Sequence, residues 1–503
     1  MARIAVIGAG MGAMAAAARL AVAGHRVTVY ERAETYGGAV GRFERDGFAF
    51  DTGPGLLHLP AVYRDLFVKT GKEPLERCVE LTQVDPASRH VFADGTAVSL
   101  PNASRAGTVS ALDAALGAGA GERWGDFLNR AREAWDRSRR PLLEEPLPAD
   151  VSRFARDPYP APRTGLLRRS ATTLAEVGRR ELRDPRLAAL LEGYALSYGF
   201  DPATAPPSAA VLPYMEQTFG SWYVTGGIRA LADAVYERCL ARRVAFVFGA
   251  EVTGVVVRDG RAVGVECAGG EPVDADHVVA GAPVPALYRD RVVGRDAPGE
   301  HPRRQALRTG RVTVCLALRG ARPSDAVHRT VVHSADRDGE LDALARGQLP
   351  GRPTVTVLRP GDALLCPDED HESVTVTATV SAGGDGAPET LWAGAGEAGV
   401  AAFADRMVEA AQAAVPGLRE RLLWRQVRTP ADTFRETGVY EVPGPALAGA
   451  GGALLPAANP APLPGLYFAG GWAHPGGGLA HAGMSGALVA GLIVEGADFR
   501  GSR

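Results

Sequence analysis

One glycine-rich turn near the start of the chain limits the possible folds more than any other segment. Gly8-Ala9-Gly10-Met11-Gly12-Ala13 follows the apolar run Ile4–Ile7 and opens the alanine-rich stretch Met11–Ala23, which Gly24 ends. A second strand, Val27–Tyr30, closes at Glu31. Strand, helix and strand within about 30 residues form the opening βαβ unit of a dinucleotide-binding sheet. Gly8 permits the tight turn, and Gly10 lets the backbone approach a pyrophosphate with no Cβ in the way. Ala13 takes the third position, where alanine is admitted for helix–strand packing. Met11 and Gly12 lie in the first helical turn, whose free N–H groups and dipole favour an anion. Glu31 stands 21 residues beyond Gly10, where a carboxylate accepts hydrogen bonds from ribose hydroxyls. It would repel a 2′-phosphate, so the site suits FAD or NAD over NADP.

At 503 residues the chain exceeds one hydrophobic core, and two or three domains are expected. A net charge of -3 gives no reason to expect nucleic acid as a partner. The five cysteines, Cys78, Cys239, Cys267, Cys315 and Cys366, form no CxxC pair and no metal-like cluster. A reduced, cytoplasmic protein without disulfides or zinc is expected. The first strand begins at once, with no signal peptide before it, and no uncharged apolar run reaches the roughly 20 residues that span a bilayer. Peripheral contact with the inner face of the membrane stays open.

Between about 100 and 220 the texture turns helical, with patterns at Trp124–Arg139 and Leu187–Leu196 broken by proline-rich stretches. From 226 the αβ rhythm returns, with a helix over Ile228–Ala241 and strands at Ala245–Phe248, Val252–Arg258, Ala262–Glu266 and Val278–Ala280. Residues 311–319, 354–358 and 373–380 alternate as strands of a second sheet. Ala401–Val415 and Ala482–Val494 read as helices, and Gly444–Pro464 as a long loop of the kind that often carries function. The expected fold is α/β. A discontinuous Rossmann-like FAD-binding domain comprises 1–90, 225–295 and 430–503. Residues 91–224 and 296–429 form an inserted α+β substrate domain with a mixed or antiparallel sheet, its first part a mostly helical lid.

After Glu31-Arg32 come Gly37-Gly38 and then Phe50-Asp51-Thr52-Gly53-Pro54. Further on stand Tyr223-Val224-Thr225-Gly226-Gly227, Glu251-Val252-Thr253-Gly254-Val255 and Thr429-Pro430-Ala431-Asp432. The chain closes with Gly465-Leu466-Tyr467-Phe468-Ala469-Gly470-Gly471 and His474-Pro475-Gly476-Gly477-Gly478. On these segments the chain resembles the phytoene desaturase-like branch of the FAD-dependent amine oxidase and carotenoid desaturase superfamily, strongly at both ends and loosely from 100 to 220. The resemblance implies noncovalent FAD. Gly37, Gly38, Ala39 and Arg42 would pass near its phosphates, with Arg32, Gly53 and Pro54 beside them, and Val252 would touch the adenine end. Gly470, Gly471, Gly478 and Leu479 would cover the ring, with a helix N-terminus at its pyrimidine end. Two positions depart from the pattern. Ala39 stands where many relatives carry arginine, and Trp472 stands where desaturases carry a small residue. Trp472 either narrows the space beside the flavin or packs in the core.

The implied reaction is hydride transfer between flavin N5 and a long apolar or conjugated substrate, an isoprenoid or polyene. His474 and His481, flanking the flavin-covering glycines, are the candidate proton carriers, since a histidine's ordinary pKa near 6.5 suits transfer at neutral pH. Tyr223 and Tyr440 either line the substrate tunnel or sit in the core. Amine oxidases of the superfamily place a lysine near flavin N5 late in the chain. Of 55 basic residues here only Lys69 and Lys72 are lysines, which counts against amine oxidation. Two other readings stay open: a reductive cyclisation enzyme of a polyene pathway, using NAD(P)H, and a noncatalytic escort for prenylated partners. Leu166-Leu167-Arg168-Arg169 is either a membrane anchor or a solvated loop.

Overall fold

The structure is a computed structural model that describes residues 1–161, 170–293, 309–383 and 388–501; the segment Leu166–Arg169 lies outside them. A five-stranded parallel sheet forms its first layer, in the spatial order Ala245–Val247, Arg26–Tyr30, Arg3–Ile7, His277–Ala280, Leu466–Phe468. Three widely separated stretches of chain therefore build one sheet. Ile4 to Val6 are buried on both faces, as a central parallel strand requires.

The alanine run explains how the chain closes. Nine of the twelve residues of the Met11–Val22 helix are buried. The last helix, Leu479–Glu495, lies directly against it. The approach is close enough that a Cβ on Gly486 would meet the Gly12 carbonyl at 2.5 Å and the Ala16 nitrogen at 2.7 Å. Gly12 is equally tight, since a Cβ there would lie 2.5 Å from Gly470 Cα. Both ends of the sequence thus meet backbone to backbone, on small residues only.

A seven-stranded sheet forms the second layer. Its order is Leu422–Arg428, Thr309–Arg319, His371–Ser381, Val355–Leu358, Arg329–Val332, Ser88–Val91, Ala97–Leu100. All pairs are antiparallel except Arg329–Val332 with Ser88–Val91, so the sheet is mixed. The expected boundary at residue 90 falls inside a strand of this sheet, because residues 88–100 pair with a strand more than 200 residues later. The helix Pro388–Ala411, interrupted at Gly396, packs Phe403 and Met407 on Val312, Val374 and Val376. It ends four residues short of the expected Val415.

The helical region packs on its own core. In the helix Ala120–Arg139, Trp124, Phe127, Leu128, Ala131, Ala134 and Trp135 are buried at helical spacing. They meet Leu187, Leu190 and Leu191 of Pro185–Ser197 and Leu212 of Val211–Phe219. Among the described residues no helix is long and apolar enough to cross a membrane.

Where the helical region covers the large sheet, two histidines are buried together. His90 Nδ1 lies 3.0 Å from His333 Nε2, and Ser88 Oγ lies 2.9 Å from His90 Nε2. Burial lowers both, His333 to about 3. A histidine depressed in the fold but ordinary near 6.5 when unfolded favours folding fully above that value and progressively less below it. Stability should therefore fall as pH drops from about 6.5 toward 3, and His333→Gln should flatten that slope in urea unfolding measured across the range. Gly12→Ala should cost roughly 1–3 kcal/mol by the same assay, because a backbone, not a movable side chain, blocks the added methyl.

Candidate active site

The site is assembled at the carboxyl ends of the parallel strands. Gly8 adopts φ +86° and donates its N–H to the Tyr30 carbonyl at 2.8 Å. Gly10 caps the first helix with no side-chain hydrogen bond, and nothing lies within 4 Å of where its Cβ would be. The first-turn N–H groups of that helix therefore open on free space, as a phosphate cradle requires. Ala13 packs where the strand leaves: a Cβ on Gly281 would lie 2.5 Å from the Ala13 methyl. Glu31 accepts the Ala9 N–H at 2.7 Å and the Ala33 N–H at 2.9 Å, which anchors its carboxylate at the end of the second strand.

The paired glycines come back to the same turn. Gly37 bridges to Gly10 and donates to the Ala9 carbonyl at 2.8 Å. Gly38 has φ +57°, and a Cβ on it would lie 3.2 Å from Gly10 Cα. Ala39 is exposed, and its carbonyl would meet a Cβ on Gly53 at 2.4 Å, so only glycine fits beside it. Pro54 follows, exposed. Arg42 pairs with Glu44 at 2.7 Å and reaches the Gly226 carbonyl at 3.3 Å. Arg32 reaches away, to the Glu436 carbonyl at 2.9 Å, beside the helix Pro430–Thr437. Val252 is buried at the start of the three-stranded meander.

Three residues that pattern reading left without a role hold this loop. Arg229 donates to the Tyr36 carbonyl at 2.7 Å and lies over the Tyr36 ring at 4.3 Å. Asp51 accepts the N–H groups of Ile228 at 2.8 Å and Arg229 at 3.2 Å, at the start of the helix Arg229–Ala241. A Cβ on Gly227 would lie 2.8 Å from that carboxylate. Asp362, from the second layer, accepts the Gly226 N–H at 2.6 Å and the Tyr223 hydroxyl at 2.7 Å. Tyr223 is thus tied across the domains, its ring 4.9 Å from His328, and burial and Asp362 push its hydroxyl upward. Asp51 sits inside a quoted motif and was within reach of the sequence; Arg229, two residues past the Gly226-Gly227 pair, and Asp362 carried no signal.

At the far end Gly470 has φ +98° and donates to Ser485 Oγ at 3.0 Å. The glycines after it fit into the long loop: a Cβ on Gly477 would lie 1.8 Å from the Pro443 carbonyl, and Gly471 rests against Pro443. Gly478 caps the last helix with φ +104° and no side-chain bond. The Leu479 carbonyl accepts the Tyr63 hydroxyl at 3.0 Å. Trp472 packs, half-buried, against the cluster around Val284 and Leu287. Tyr440 is buried and stacks on Phe434 at 4.3 Å.

Both histidines are buried, and burial lowers each to about 4, so both are neutral at pH 7. His474 bonds through Nε2 to the Glu145 carbonyl at 2.9 Å, a bond that only an Nε2–H can donate, so its Nδ1 carries a free lone pair. His481 lines a small cleft with a cavity volume of about 30 Å³, room for little more than one water molecule. Leu142, Leu143, Val211, Leu212, Met215 and Leu447 are among its apolar walls. Two helix N-termini without side-chain caps, open space above Gly10 and a glycine cradle fit a dinucleotide cofactor.

The model of flavin-containing amine oxidoreductases matches residues 14–494. The chain belongs to that family. Within the family its relatives are carotenoid enzymes. The hydroxyneurosporene desaturase of Cereibacter sphaeroides is 30% identical over 98% of this chain and 97% of its own. The 4,4'-diapolycopene oxygenase of Methylomonas sp. is 31% identical over 57% of each chain, so the match spans little more than half of that relative. A solved structure of a putrescine oxidase variant superposes with a TM-score of 0.63 at 16% identity, covering 98% of this chain and 99% of that one, which shows the shared fold. The family resemblance therefore holds, in the phytoene desaturase-like branch, and the chain is an FAD-dependent oxidoreductase.

The position of Asp51 has a measurable consequence. Burial raises its carboxyl from the ordinary 3.8 to about 6, so the folded state binds its proton more tightly than the unfolded state. Its contribution to stability grows as pH falls through 6 toward 3.8. Asp51→Ala should destabilise by about 1–2 kcal/mol at pH 7 through the lost N–H acceptor, and by more at pH 5, in parallel urea titrations.

Proposed function

We propose that this flavoenzyme removes hydrogen from a long apolar, conjugated isoprenoid substrate, as its desaturase relatives are named for doing. The observation that carries this reading is the full-length match to a hydroxyneurosporene desaturase, 30% identical over 98% of this chain, and the apolar walls of the small cleft at His481, in the first turn of the last helix, agree with it. Bound noncovalently, FAD would supply the two-electron chemistry, its N5 taking a hydride from an allylic carbon.

The chain's own residues then have three tasks. Leu142, Leu143, Leu212, Met215 and Leu447 offer the hydrocarbon an apolar wall beside His481 and exclude water. Glycine-bounded N-termini at Gly10 and Gly478 stabilise negative charge at the two ends of the crevice. Proton removal falls to His481. Apart from Arg139 it is the only titratable side chain lining the cleft; burial holds it neutral at pH 7 and makes it a weak base, which suffices for the acidic C–H beside a carbon that has lost a hydride. His474, held by Glu145, orients the loop. Late lysines of the amine oxidase kind are missing from the sequence, which supports carbon–carbon over amine oxidation.

The test is anaerobic mixing of the yellow protein with polyenes and, separately, with NADPH. Bleaching by a polyene and its desaturation support the proposal. Bleaching by NADPH alone, with a polyene then reduced or cyclised, would replace it with the reductive reading. His481→Gln should lower kcat by about 10²- to 10⁴-fold while FAD content stays at the wild-type level.

A further inference from the structure

Asn459, in the long loop, has no exposed surface. Its amide nitrogen lies 2.7 Å from the His474 carbonyl, 3.2 Å from the Phe468 carbonyl and 3.1 Å from Ser485 Oγ. Two carbonyls orient the side chain, because only the NH₂ group can face them; an oxygen turned that way would meet oxygen. Its backbone carbonyl also accepts the Phe468 N–H at 2.7 Å. Ser485, fully buried, holds Gly470 by accepting its N–H.

One carboxamide therefore joins the last strand, the loop at His474 and the closing helix at Ser485. Gly470, fastened through Ser485, is the backbone on which Gly12 rests, since a Cβ on Gly12 would lie 2.5 Å from Gly470 Cα. The bracket thus sets how the two capless helix N-termini stand relative to each other. His474 is fastened a second time, through its ring, to Glu145 at the end of the helical region.

We propose that Asn459, acting through Ser485, is a positioning residue for the cofactor: it holds the 470–474 loop so that the first and last helices present their N-termini to one FAD molecule. The proposal rests on the FAD assignment. An aspartate would aim an anion at two carbonyls, and alanine would leave both carbonyls and the Ser485 hydroxyl without this donor.

The experiment compares Asn459→Ala with Asn102→Ala. Asn102 is a similar bracket with no hydrogen bond to the 470–474 loop, donating to the Val84 carbonyl at 2.6 Å and the Ser221 carbonyl at 2.8 Å. Three quantities are read on full-length protein: the unfolding midpoint without FAD, the FAD Kd by fluorescence titration, and the reduction potential of the bound flavin. Asn459→Ala should weaken FAD about tenfold or more and shift the potential, as expected for losing buried hydrogen bonds. Asn102→Ala should lose comparable stability and leave Kd within about twofold of wild type. Wild-type Kd and potential in Asn459→Ala, or an equal loss in Asn102→Ala, would overturn the proposal. If Asn459→Ala does not fold, Ser485→Ala carries the same comparison, since it removes the Gly470 bond and keeps the two carbonyl bonds. Wild-type protein that takes up no FAD would overturn the cofactor assignment, and this proposal with it. Uptake by wild type with undisturbed uptake by Asn459→Ala would overturn the proposal alone.

Discussion

Everything in this molecule depends on how closely the first and last helices approach. Gly12, Gly470 and Gly486 leave no room for a single methyl between the segments that carry them. In the proposed site two sets of N–H groups face a dinucleotide at a fixed separation, presented by Gly10 and Gly478, 468 residues apart in the chain. Dispersion and burial hold alanine-rich surfaces together only at contact distance. Small residues are therefore a condition of the site and not a filler.

Polar side chains then decide what small residues leave free. Glycine supplies access but no direction, since its φ ranges widely. Around the crevice several turns have a carboxylate or hydroxyl oxygen behind them. Glu31 stands behind Ala9, Asp51 behind Gly227, Asp362 behind Gly226, and Ser485 behind Gly470. Burial raises Asp51, a sign that the backbone N–H groups it accepts only partly offset its desolvation. Asp362 and Tyr223 carry this bracing into the second layer, which holds the first at a glycine turn.

The same low-polarity surroundings shape the chemistry. His474 and His481 are held neutral by burial, and His481 sits among mostly apolar walls.

The sequence by itself determined the βαβ opening, the strand–helix order around residues 226–280 and the closing strand and helix. In each, hydrophobic period and glycine lie within a few residues, and local sterics choose the structure. The tight turn at Gly8 was legible for that reason. What only the tertiary structure decided are the long-range partners: Ser88–Val91 beside Arg329–Val332, Tyr223 on Asp362, His474 on Glu145, and Asn459 across three segments. Such pairs follow no spacing rule. A buried amide or carboxylate must find its partner wherever packing brings one, and that is a property of the folded surfaces and not of the order of residues along the chain.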